Sequence, residues 1–177
     1  MTTLSQFKLF WLWEDEKEEA WLRSMAQQGW HFQQVRLLNR YIFEAGTPQD
    51  IVYRLDWYAG GKDYQSYLQL FKDAGWEHVE AYGSWQYFRK ASMNGIAPEI
   101  FTDADSKIKK YQRILLLLFV FLILLRQPTH NSLVPNPENW LDWVYAIGFV
   151  LRLGLFVLIL ISGIMLAKRI KELQKRL

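Results

Sequence analysis

FKLFWLWEDEKEEAWLRSMAQQGWHFQQVRLLNRYIF, residues 7–43, is echoed without a gap by YRLDWYAGGKDYQSYLQLFKDAGWEHVEAYGSWQYFR, residues 53–89, at a constant offset of 46. Phe7, Lys8, Leu9 and Trp11 return as Tyr53, Arg54, Leu55 and Trp57. Leu22, Met25 and Tyr41 return as Leu68, Phe71 and Tyr87, and Gly29-Trp30 as Gly75-Trp76. An internal echo of this length marks one supersecondary unit per copy.

Within the first copy, Phe7, Leu9 and Trp11 alternate with the period of a half-buried strand. Asp15 is placed to cap a helix, with Glu18 three residues on completing a capping box. Trp21, Leu22, Met25 and Ala26 form its apolar stripe, and Gly29 supplies a left-handed stop. Trp30–Leu37 and Arg40–Ala45 read as two strands around a turn near Asn39. The second copy repeats the plan: a strand over Ile51–Tyr58, a helix capped by Asp63 and ended by Gly75, and strands over Trp76–Tyr82 and Ser84–Lys90. The expected fold class is α+β: duplicated strand-helix-strand-strand units in a ferredoxin-like duplication over residues 1–91, followed by a two-helix transmembrane hairpin.

The formal charge of +3 dissolves when it is divided. Residues 1–90 carry ten Lys/Arg against twelve Asp/Glu, a balance of −2. The surplus lies in Lys107, Lys109, Lys110 and Arg113, then in Lys168, Arg169, Lys171, Lys175 and Arg176, each group flanking an apolar run. The basic pI therefore points to membrane topology, and no nucleic-acid partner is expected. The expected organisation is a cytosolic domain over 1–91, a linker over 92–106, a first span over 107–126, an external loop over 127–139, a second span over 140–168 and a basic cytosolic tail over 169–177. Ile114–Leu125 covers only about 18 Å at 1.5 Å per residue, short for a bilayer core. A re-entrant or surface-lying segment is the alternative there. Both termini are expected on the cytosolic side, and the absence of cysteine fits a cytosolic domain.

Arg126 and Arg152 fall within or beside the apolar runs, at similar depths by helix rise. They are candidates for a paired anion or lipid-headgroup site, or two snorkelling anchors. No cysteine nucleophile, phosphate loop, metal-ligand spacing or nucleophile elbow is present, so neither catalytic residues nor a cofactor is expected. His31 and His78 follow the two Gly-Trp pairs and would act together only if their strands approach. Glu14–Glu19 reads as a solvated first turn that complements the helix dipole. Trp11, Trp30, Trp57 and Trp76 recur at repeat positions and are expected in the core. Trp13, Trp21 and Trp85 lack a tryptophan counterpart, which makes them, with Asp56 on an outward strand position, the candidate binding residues.

Phe7-Lys8-Leu9-Phe10, Asp15–Glu19 followed by Trp21-Leu22, Met25-Ala26-x-x-Gly29-Trp30 and Gly75-Trp76 resemble an uncharacterised bacterial family. That family carries a domain of unknown function before a transmembrane hairpin, in genes often beside PadR-type regulators. The resemblance covers most of residues 5–110. It implies a small module of Gram-positive type facing the inner leaflet, tied to a stress or envelope response, and supplies no catalytic residues. The expected function is a membrane-anchored regulatory or sensory module, not an enzyme, whose cytosolic domain binds a protein partner or small ligand. The alternatives are an accessory subunit of a membrane transport complex and an enzyme on a membrane-proximal substrate. The lipid bilayer and a protein are the expected partners, with the oligomeric state open.

Overall fold

Gly29 and Gly75 sit at φ +86° and +77°, in the left-handed region that ends a helix without a Cβ penalty. Around these stops the computed structural model, which describes residues 2–58, 60–61, 63–92, 98, 104–124 and 140–175, places ten elements. They are β1 (Thr3–Phe7), α1 (Asp15–Gln27), β2 (Trp30–Arg36), β3 (Arg40–Ala45), β4 (Ile51–Trp57), α2 (Tyr64–Asp73), β5 (Glu77–Tyr82), β6 (Trp85–Ala91), α3 (Ala104–Leu124) and α4 (Trp140–Gln174). The chain divides into two compact units, Met1–Lys110 and Tyr111–Leu177.

The first unit holds two three-stranded antiparallel sheets, ordered β1-β3-β2 and β4-β6-β5. In each, the third strand lies between two strands joined through a helix. Both hairpins carry an irregularity, between Phe32 and Gln34 and between His78 and Glu80, positions that the echo matches. Asp63 caps α2 as expected, its side chain accepting the Ser66 N–H at 3.0 Å. α1 is capped differently: Glu14 is its N-cap residue, makes no side-chain cap bond, and accepts the Trp11 N–H instead.

β1 departs from the sequence reading. Tyr41 pairs with Gln6, whereas Tyr87 pairs with Leu55, so the pairing equivalents stand 49 positions apart rather than 46. Side chains alternate along a strand, and an odd shift moves every one to the opposite face. Leu4 therefore packs on the core, while Phe7, Leu9 and Trp11 are 69%, 53% and 44% exposed. Phe10 turns inward instead, 5.7 Å from the Trp21 ring.

The main core joins Leu22, Met25 and Ala26 of α1 to Phe32, Val35, Tyr41 and Phe43 of one sheet and to Tyr53, Leu55 and Tyr87 of the other. A smaller cluster of Val52, Phe71, Trp76 and Phe88 lies under α2. α1 packs on β2 and on β4, whereas α2 packs on β5 of its own sheet. The two helices, alike in sequence position, do different packing work.

In the second unit, α4 buries a seam of Ile159, Ser162, Leu166 and Leu173 and exposes most of its other apolar side chains. Leu115 of α3 comes within 3.8 Å of the place a Cβ on Gly163 would occupy. Asp142–Gln174 is long and apolar enough to cross a membrane. Among the described residues α3 does not reach that measure, because Lys107, Lys109, Lys110 and Arg113 occupy its first half. Arg152 is half-buried on α4, and Arg126 lies outside the described residues.

Candidate functional site

Asp15, Glu18 and Glu19 extend the stripe of Leu22, Met25 and Ala26 backwards at helical spacing, so they fall on the buried face of α1. They are 2%, 7% and 7% exposed. The expected solvated turn is thus a buried acidic one. Neither Asp15 nor Glu18 serves the expected capping box; each finds a tertiary partner instead.

The Lys110 ammonium, itself buried, donates to Asp15 Oδ2 at 2.6 Å and to the Leu55 carbonyl at 3.2 Å. Glu18 Oε1 accepts the hydroxyls of Tyr41 and Tyr87, each at 2.7 Å. Glu19 accepts the Leu55 N–H at 2.8 Å and Arg54 Nη1 at 3.2 Å. β4 is an edge strand, and Leu55 carries both a donor and an acceptor that β6 does not take up. Glu19 and Lys110 satisfy these two groups. One helical turn therefore ties together β3, β4, β6 and the first residues of α3. Lys110, expected as a membrane-flanking cation, is instead a buried partner.

Burial raises the Glu18 carboxyl, opposed by the two tyrosine hydroxyls. Burial also pushes Glu19 up to about 7, against the lowering by Lys110 and with a further rise from Asp15. Tyr41 and Tyr87 are raised by burial first and by the Glu18 charge second. A carboxyl raised on folding holds a proton that the unfolded chain releases, so its contribution is full below the ordinary value of 4.5 and is lost as pH rises through about 7. Thermal midpoints of the intact chain are expected to fall across that window, and Glu19→Gln to flatten the slope. An unchanged slope in the variant would remove Glu19 as the titrating group.

The other candidates are placed as follows. Asp56, read as outward-facing, is 6% exposed and accepts the Tyr67 hydroxyl at 3.0 Å, because α2 covers that face of β4. Its cross-strand partner Gln86 accepts Tyr64 OH at 2.8 Å and lies 2.9 Å from His78 Nε2. His31 is on the other sheet, bonded to the Thr47 carbonyl. Trp21 packs edge-on against Tyr41 and Phe43, at 4.9 and 5.4 Å. Trp85 meets Trp57 at 5.1 Å and lies under the Lys110 ammonium. Trp13 stacks on exposed Trp11 at 5.5 Å. Among the described residues no group of three or more His, Asp or Glu is arranged to hold a metal ion.

The family model described as protein of unknown function, DUF2812, matches residues 14–123, more than half of the chain. The chain belongs to the DUF2812 family. The DUF2812 match begins at Glu14 and takes in the whole acidic turn, both sheets except β1, and Lys110. No curated protein and no solved structure matches the chain.

Proposed function

We propose that the chain is a membrane-anchored regulatory or sensory module whose first unit binds a protein partner or small ligand. The buried Asp15–Lys110 pair carries this reading. A buried ion pair is a poor stabiliser and a good device for fixing one arrangement. Here it links the acidic turn of α1 to α3, which continues into the apolar second unit. In this reading α3 and α4 form a two-span hairpin with both termini cytosolic, and the two strand-helix-strand-strand units descend from one duplicated ferredoxin-like ancestor. The regulatory role follows the family resemblance, including genes beside PadR-type regulators.

A photo-crosslinking residue placed at Trp13 or Trp85 of the full chain in cells is expected to capture a discrete partner. Exchanging α4 for an unrelated apolar helix should leave that adduct in place. Loss of the adduct on exchange would favour the accessory-subunit reading, in which the helices make the contacts. No adduct at either position would count against protein binding.

A further inference from the structure

Among the described residues, four of the six large apolar side chains exposed on the first unit, Phe7, Leu9, Leu37 and Leu38, gather at one end of the β1-β3-β2 sheet. Phe7 ends β1 opposite Arg40, and the Lys8 N–H donates to the Asn39 carbonyl at 3.2 Å. That places Phe7 and Leu9 beside the turn Leu37–Asn39, where Leu37 and Leu38 are 81% and 74% exposed.

Two further observations bear on what this tip meets. Leu38 and Asn39 lie at φ +62° and +52°. Asparagine tolerates that region, and glycine more so, but leucine is strained there. A strained, exposed leucine is a fold liability, and such outliers concentrate at working surfaces. The second observation is charge. Arg36 and Arg40 are direct cross-strand partners at the foot of the turn, an arrangement that repels. Neither forms an ion pair among the described residues. Lys8 turns to the other face, its ammonium 4.5 Å from the Trp21 ring, so the charge of the tip rests on Arg36 and Arg40. Residues 7–9 and 36–40 contain no acid, although the first 90 residues have a negative balance. The next acid along the chain, Glu14, is bound to Lys17 and to the Trp11 N–H.

We propose that this tip inserts into the headgroup region of an anionic lipid bilayer. Leu37, Leu38 and Phe7 would reach the acyl boundary, while Arg36 and Arg40 meet lipid phosphates. A second copy of the chain is a poorer occupant, since an isologous contact would set the same cations against one another. The inference rests on the reading that the chain resides at a bilayer.

Because the chain has no cysteine, Leu38→Cys introduces a single thiol. The full chain, labelled there with an environment-sensitive fluorophore, is reconstituted into vesicles of phosphatidylcholine with or without phosphatidylglycerol. Nitroxide-bearing lipid is expected to quench the label in the anionic vesicles, and a control label at Leu70→Cys to stay unquenched. Arg36→Gln or Arg40→Gln should each lower occupancy about fivefold. With the label moved to Leu37→Cys, Leu38→Gly should reduce quenching while relieving turn strain, so a folding defect would not account for the loss. A Leu38 label open to aqueous iodide in both vesicle types overturns the proposal. A label shielded from iodide but not reached by nitroxide lipid assigns the tip to another protein surface and also overturns it. A chain that does not float with vesicles overturns the membrane reading as well, whereas one that floats with a wet label overturns this inference alone.

Discussion

Lys110→Met is expected to cost about 3–5 kcal/mol of unfolding free energy, because it leaves the Asp15 carboxylate buried without its nearest cation. The ammonium and the carboxylate are 5% and 2% exposed, so water cannot take over the pairing. Asp15→Leu in the same chain should restore most of the loss, since an apolar replacement of both partners avoids desolvating either charge. Denaturant unfolding of the full chain in detergent, followed by near-ultraviolet circular dichroism, measures both. Seven of the nine tryptophans lie in the first 90 residues, so the signal reports mainly on the first unit. A single-variant cost below about 1 kcal/mol would place the pair among the unimportant surface ones.

Phe32→Ala is expected to cost a similar amount, about 3–5 kcal/mol, by opening a cavity where the two sheets share one core. Phe32 is fully buried, its ring 5.1 Å from Tyr87 and 6.0 Å from Tyr53 of one sheet, and 6.1 Å from Tyr41 and Phe43 of its own. Its N–H also donates to the Tyr53 hydroxyl at 3.2 Å. Amide hydrogen exchange should therefore show protection falling together in both sheets. Faster exchange confined to β1-β3-β2 would mean that the sheets unfold independently.

Local signals were legible wherever a single residue type solves a backbone problem. Gly29 and Gly75 stand at positive φ where a helix stop was expected, and Asp63 caps its helix. Those decisions involve a few neighbouring groups, so spacing alone exposes them. The acidic turn was half legible. Asp15, Glu18 and Glu19 fall in step with Leu22, Met25 and Ala26, a pattern that marks them as buried. What would neutralise them was invisible, since Tyr41, Arg54, Tyr87 and Lys110 lie 23 to 95 positions away.

By itself the sequence determined the order of elements in the first unit, the turns and helix stops between them, and the apolar character of the last helix. Each rests on periodicity and on residue-specific backbone preference, which act over one or two turns of chain. Only the tertiary structure decided the register of β1, the burial of Asp56, and the unequal roles of α1 and α2. It alone turned Lys110 from a flanking cation into the partner of Asp15. Strand pairing is a choice among registers of nearly equal local merit, and a buried charge is acceptable only when a distant group arrives to meet it. Both are settled by packing across the whole unit, and so no short stretch of sequence carries them.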